Sequence, residues 1–396
     1  MKSSSTNAMG FTRTFKGNQS RMRMRGRWFG LWLLIVLGAL TAVSGYAQET
    51  EKSREATTSI HRESVREQAD RDASKFKTRE GRLREKPLDW NATIGKPERP
   101  KISEEEQTTV RKRAPETVKG GRRDPNSKRE AQRLHPEDWK EITEHSPGHT
   151  MGLVREDGGA KLVLTAGSPD IFTQYGEVGD PDAPSATIGK LFTNAGTCTA
   201  SVVSGNNVIV TAGHCCYDRS ANKWIGGWNF SPAYDNGSAP FGTFDWSTAT
   251  VLTSWVNNGD TPSDVCLIKL QNDSAGHGVT FYTGWLGRAW NFGTVQELHS
   301  LGYPGNLGNA QTLQLCTAET FSPNFFCGGD AVLNMGCSMT YGSSGGPWIM
   351  DYRGADFVDA TVHGYEGSCT GTFGQTFDGP RFTSNNIVTL CNAAGC

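Results

Sequence analysis

Residues 166–396 predict an all-β domain, and three observations carry that reading. Short runs rich in β-branched and aromatic residues, such as "CTASVVS", "NVIVTAG", "STATVLTSW", "VCLIKLQ" and "ADFVDATVHGY", are separated by Gly, Asn, Asp, Ser and Pro, as strands are by turns. All ten cysteines fall in this part. The charge balance also inverts there. Residues 48–165 hold 26 Lys/Arg and 23 Asp/Glu, whereas the remainder holds seven and 18, so a near-neutral total conceals an acidic domain.

Taken in order, the chain begins with seven Lys/Arg and no acid through Ala47, around the apolar run "WFGLWLLIVLGALTAV" and the small residues Gly45 and Ala47. A basic start, an apolar core and small residues make residues 1–47 a secretory signal peptide. A signal anchor is the alternative, because the run is close to the lower limit for a span. Met22 and Met24 are alternative starts. Residues 48–165 form a cysteine-free charged segment with sparse apolar residues; "SVREQADRDASKFKTREGRLREK" predicts polar helices with little core. Arg111–Arg113, Arg122–Arg123, Lys128–Arg129 and the stretch near Gly158 offer processing sites. Within the β domain "VSGNNVIV" predicts a hairpin, and "SNNIVTLCNAA" a C-terminal helix with Ser384 as N-cap. So many short strands suit a sandwich or a pair of barrels.

An even cysteine count behind a signal peptide implies an oxidising compartment, extracellular or periplasmic, and up to five disulfides among Cys198, Cys215, Cys216, Cys266, Cys316, Cys327, Cys337, Cys369, Cys391 and Cys396. No metal or other cofactor is expected: there is no pair of CxxC units, and His214 beside Cys215 and Cys216 lacks ligand spacing. The acidic domain has no basic patch for nucleic acid. Removal of the signal leaves no membrane partner, and the expected state is a monomer.

Three stretches carry chemistry: "VTAGHCCY" with His214, "SDVCLIKL" with Asp264, and "YGSSGGPW" with Ser343 and Ser344. Taken singly, each has a plain structural reading: a junction histidine, a capping aspartate, a flexible loop. Together they supply what amide hydrolysis needs, namely a hydroxyl, a base, an acid that orients the base, and a glycine-rich turn whose N–H groups can meet an oxyanion.

These stretches resemble the chymotrypsin-like serine peptidases. "TAGHC" stands letter for letter at Thr211–Cys215, "GSSGGP" at Gly342–Pro347 takes the place of GDSGGP, and "DVCLIKL" runs from Asp264 to Leu270. The resemblance implies two perpendicular six-stranded β-barrels, at about 185–285 and about 286–396, followed by the short C-terminal helix. It makes His214 the base, Asp264 its orienting acid and Ser344 the nucleophile, with the N–H groups of Gly342 and Ser344 as oxyanion hole. Ser343 replaces the aspartate that binds a new N-terminus in animal members, so that switch is missing and Ser343 is expected to bond within its turn. With "LGYPGN" at Leu301–Asn306 and the long prosegment, a folding aid or inhibitor in such enzymes, this points to the bacterial branch that includes the glutamyl endopeptidases.

In that branch the pocket floor falls near Ser338 or Met339. No carboxylate is present there, which disfavours cleavage after Lys or Arg. His363 stands where a histidine faces the substrate carboxylate, and Thr340 is the candidate hydroxyl beside it. Met339 occupies a position usually Thr or Ser, and Glu366 would repel an acidic substrate. Glu specificity, an apolar preference, and His363 as an ordinary hydrogen-bonded strand residue therefore all remain open. The resemblance further implies disulfides Cys198–Cys215, Cys216–Cys266, Cys337–Cys369, Cys316–Cys327 and Cys391–Cys396. The expected function is a secreted serine endopeptidase made as a precursor and acting on protein or peptide substrates. A catalytically silent homologue used as a binding module is the competing class, though such homologues usually lose a triad residue. An esterase using the same triad is a third possibility, but the chain lacks the strand–helix alternation that carries the GxSxG elbow of the α/β-hydrolases.

Overall fold

The computed structural model describes residues 56–64, 72–94, 113–145, 166–167, 170–171, 173–175, 184–323, 329–365 and 376–396. The signal-peptide reading, Gly158, Cys327, Glu366 and Cys369 lie outside the described residues.

Six strands close into a barrel: β1 (Ile188–Thr193), β2 (Gly196–Ser204), β3 (Val208–Thr211), β4 (Asn229–Pro232), β5 (Phe244–Leu252) and β6 (Cys266–Leu270). They run β5-β4-β1-β2-β3-β6, and β6 pairs back onto β5, with Ile268 opposite Ala249. The predicted hairpin joins β2 to β3 through a turn in which Asn207 takes φ 61°, a left-handed value that Asn tolerates. Side chains alternate between two buried environments. Leu191, Ala200, Val202, Ile209 and Ile268 fill the barrel. Val208, Val210 and Leu267 join Leu301, Ile349 and Val358 of the second lobe. With both faces buried, these strands read as continuous apolar runs, and each Val, Leu or Ile so buried contributes about 1.5–3 kcal/mol.

The second lobe contains β7 (Gly287–Trp290), β8 (Glu297–Gly302), β9 (Gln314–Glu319), β10 (Val332–Gly336), β11 (Pro347–Met350), β12 (Phe357–Thr361), β13 (Gly364–Tyr365) and β14 (Thr376–Pro380). Among the described residues these form two sheets, β7-β12-β11-β8-β9 and β10-β14-β13. Bridges at Phe321–Asn334 and Ala360–Arg381 join them. The chain ends in a helix whose Ile387 and Leu390 enter the shared core. Its cap is Thr383, one residue before the expected Ser384, because Asn386 accepts from the Thr383 N–H at 2.7 Å in a capping box.

The charged segment has more structure than its composition suggests. Its strand Thr57–His61 pairs antiparallel with β5, and Glu116–Val118 pairs with β7. Phe76, Trp90 and Trp139 are buried, with Phe76 stacked 4.9 Å from Phe192. Few apolar residues suffice because they dock into a core that the β domain supplies.

Cys198–Cys215, Cys216–Cys266 and Cys391–Cys396 pair as expected. Cys316 bonds Cys337, which overturns the Cys316–Cys327 and Cys337–Cys369 expectations. The chain beyond β9 runs antiparallel to β10 through the Phe321–Asn334 bridge. That register carries Cys316 back toward Cys337, a partner distant in sequence.

Candidate active site

The site starts from Gly213. A Cβ there would lie 2.9 Å from Asp264 Oδ1 and 3.0 Å from Trp255 Cδ1, so glycine lets the strand end turn close against the acid. His214 follows in a short 3-10 turn, Gly213–Cys215. Asp264 grips it twice: Oδ1 accepts the His214 backbone N–H at 2.7 Å, and Oδ2 lies 2.7 Å from Nδ1. Both residues are fully buried. Cys216–Cys266 ties the two chain segments together beside this contact.

Burial pushes the Asp264 carboxyl up, but electrostatic attraction to the His214 and His363 imidazoles and hydrogen bonds from both rings outweigh it. The carboxyl is held well below the usual carboxylate range. An ionised Oδ2 makes Nδ1 of His214 the proton carrier, leaving Nε2 with a lone pair. Among the described residues neither His214 Nε2 nor Ser344 Oγ has a hydrogen-bond partner, although both are buried.

Ser344 sits on a turn clamped by three hydrogen bonds, two from Thr199 and one to Val362. Thr199 in β2 donates its N–H to the Ser344 carbonyl at 2.9 Å, and its hydroxyl donates to the Gly342 carbonyl at 2.8 Å. The Gly345 N–H reaches the Val362 carbonyl at 2.8 Å. Gly342 has φ +95°, and a Cβ there would lie 2.5 Å from the Tyr303 carbonyl oxygen, so the turn requires glycine. The Ser344 carbonyl oxygen is 3.9 Å from Cys215 Sγ, one residue from His214. The N–H groups of Gly342 and Ser344 donate to no carbonyl among the described residues. Ser343 donates its hydroxyl to the Thr340 carbonyl at 2.6 Å, closing the turn as its position suggested.

The expected pocket residues fall in different settings. His363 Nδ1 lies 2.5 Å from Asp264 Oδ2, so one carboxylate oxygen serves two imidazoles whose centroids are 5.7 Å apart. Met339 is fully buried in the second lobe. Thr340 donates its hydroxyl to Asn306 Oδ1 at 2.8 Å. Sequence reasoning missed Thr199, Trp255 and Asp378. Trp255 packs against both imidazoles at 6.4 and 6.3 Å. Asp378, buried in β14, accepts the His363 N–H through its carbonyl and the Gly364 N–H through its carboxylate. Burial pushes this carboxyl up, which His363 partly offsets.

His214, Asp264 and His363 also bring three ligand-type atoms within 4.8 Å of one another. Since Oδ2 already accepts from both rings, a cation would have to displace those protons.

The trypsin family profile matches residues 179–373. An extracellular metalloprotease of Bacillus subtilis (strain 168) is 29% identical over 180 residues, 43% of this chain and 51% of that protein. A glutamyl endopeptidase of Bacillus licheniformis is 28% identical over 123 residues, 31% of this chain and 37% of that enzyme. The chain therefore spans about half the length of the first curated relative and less of the second. Among solved structures, the protease Anisep from Arthrobacter nicotinovorans is 26% identical with a TM-score of 0.48, covering 54% of this chain and 97% of that one.

Proposed function

Residues 179–373 form a trypsin-family, chymotrypsin-like serine protease domain, and from that premise we propose that the protein is a secreted serine endopeptidase made as a precursor. It cuts peptide or protein substrates as a monomer, and its own charged segment is an internal partner. The observation that carries this reading is the double grip of Asp264 on His214, through the backbone N–H and Nδ1. That grip fixes the ring and its tautomer, which is the work a base-orienting acid has to do. Secretion is supported by the disulfides and by the basic–apolar N-terminus. No helix among the described residues is long and apolar enough to cross a membrane.

In this mechanism Ser344 Oγ attacks the scissile carbonyl carbon while its proton passes to His214 Nε2. The imidazolium formed is stabilised by ionised Asp264, and the carbonyl oxygen, now an oxyanion, accepts from the Gly342 and Ser344 N–H groups. Nε2 then gives the proton to the departing amine, leaving an acyl group on Oγ. Water, deprotonated by Nε2, repeats the attack and frees the acid. Oxyanion donors of this kind each lower the barrier by about 2.7–4 kcal/mol.

The test is a pair of variants. Ser344→Ala is expected to abolish peptide turnover and Ser343→Ala to keep a substantial fraction; the opposite ranking would sink the assignment. A preference for Glu at the cleavage site is a second, finer reading. It is favoured by the partly exposed His363 imidazole beside the triad and by the likeness to the Bacillus licheniformis enzyme.

A further inference from the structure

His214 and Ser344 are fully buried in the chain, yet a nucleophile must meet its substrate. The cover over the site is made in part by residues 86–94 of the charged segment. The Thr197 N–H donates to the Lys86 carbonyl and the Leu88 N–H to the Thr197 carbonyl, both at 2.9 Å. Together these bonds make a parallel bridge of Pro87 with the start of β2. The Pro87 ring then fills the space beside the nucleophile turn: a Cβ on Gly342 would lie 3.2 Å from Pro87 Cβ, and one on Gly305 would lie 2.9 Å from Pro87 Cγ.

Trp90 follows, 4% exposed, its ring 4.5 Å from that of Tyr341, the residue before Gly342. A Cβ on Gly364, next to His363, would lie 3.3 Å from the same indole. Asn91 Nδ2 donates to the Tyr341 hydroxyl at 2.9 Å. Beyond it the Ser220 hydroxyl donates to the Ala92 carbonyl at 2.7 Å, and Arg219 donates to the Thr93 and Ile94 carbonyls at 2.9 and 3.1 Å. Arg219 in turn lies over Trp255, which packs on the base. The segment thus touches the nucleophile turn, the His363 strand end and the chain after His214 in nine residues.

Resting on the endopeptidase reading, we propose that residues 86–94 are an intramolecular plug that occupies the substrate cleft of the uncut chain, with Trp90 as its anchor. Activity appears when this segment leaves, so cutting the chain between residues 94 and 184 is not sufficient by itself. The plug escapes hydrolysis because of how it is held. Among the described residues no carbonyl of the segment accepts from Gly342 or Ser344, and the Lys86 carbonyl is already committed to Thr197. A proline ring, rather than a peptide carbonyl, abuts the oxyanion glycine.

The experiment uses the full chain and a biotinylated fluorophosphonate, from which a reactive serine Oγ displaces fluoride. Label on the full-length band of a denaturing gel reports access to Ser344 before any cut. Trp90→Ala is expected to raise that labelling rate at least tenfold. Trp139→Ala, in the charged segment but outside residues 86–94, removes a ring that packs on Phe241 of the β domain and is expected to label as slowly as wild type. Equal rates for wild type and Trp90→Ala overturn the plug, and so does an equal acceleration by Trp139→Ala, which would report general loosening.

Should Trp90→Ala not accumulate as folded protein, a synthetic peptide of residues 84–95 is added to wild-type chain activated by limited proteolysis. It is expected to slow labelling, while the same peptide with Ala at position 90 is not; equal effects overturn the proposal. Labelling of the activated wild type, mapped to Ser344, upholds the endopeptidase reading whichever way the plug falls. No labelling of any form removes both.

Discussion

His363→Ala decides between two roles for this imidazole. Asp264 accepts three N–H bonds, one on Oδ1 at 2.7 Å and two on Oδ2 at 2.7 and 2.5 Å. The substitution deletes the shortest and leaves the two from His214. A hydrogen bond to a charged group contributes about 1.5–3 kcal/mol net, and each 1.36 kcal/mol on the barrier is tenfold in rate. Loss of the whole bond at the transition state would therefore lower kcat/KM by about 10- to 150-fold. The lower part of that range is expected, since Asp264 keeps both contacts to the base. The assay compares two peptides identical except for Glu or Leu at the residue before the scissile bond. A positioning role through Asp264 predicts the same fold-loss on both, with partial recovery in His363→Asn, whose amide can still donate. A loss confined to the Glu peptide would refute the positioning argument and make His363 a reader of the substrate carboxylate.

Thr199→Val removes the hydroxyl that donates to the Gly342 carbonyl and accepts from the Tyr303 N–H at 3.0 Å. Each group left buried without a partner costs about 1–3 kcal/mol, so kcat is expected to fall with little change in KM, and Thr199→Ser to restore it; an unchanged kcat would free the nucleophile turn from this clamp. Lys190 is buried, its Nζ bonded to the Ala310 carbonyl at 2.8 Å and set over the Phe192 and Tyr234 rings, and burial lowers its pKa from 10.5 to about 7. Between those values the unfolded chain binds the extra proton, so this group makes stability rise with pH, by up to about 1.4 kcal/mol per unit. Urea unfolding in a Ser344→Ala background should show Lys190→Met gaining most over its parent near pH 7 and losing that gain toward pH 10; a constant difference would remove Lys190 as the cause. Dialysis against a chelator is expected to leave peptide turnover intact while fluorophosphonate abolishes it. The reverse pattern would turn the His214, Asp264 and His363 cluster into a metal centre.

What could be read from the sequence was chemistry whose constraints are local. Gly213 must be glycine because the carboxylate of Asp264 crowds its missing Cβ, and the same kind of crowding fixes Gly342, so "AGHC" and "GSSGGP" keep the marks of the site they build. Thr199 bears no such mark: in "CTASVVS" it reads as one more strand threonine, and the carbonyl it clamps lies 143 residues away. Lys190 in "IGKLF" has the look of a solvent-facing strand lysine, because the Ala310 carbonyl and the rings that enclose it come from elsewhere in the chain. The Cys316–Cys337 pairing depends on a strand register that no cysteine spacing encodes. The charged segment was the least legible part, since Asn91 meets Tyr341 across 250 residues. A lone Trp90 among charges gives no amphipathic pattern to detect. Its partner surface is the cleft itself, so the segment can be sparse in apolar residues and still fold, provided each one lands in a site the β domain has already built. That dependence makes the segment removable: without the cleft it has no core of its own to hold its shape.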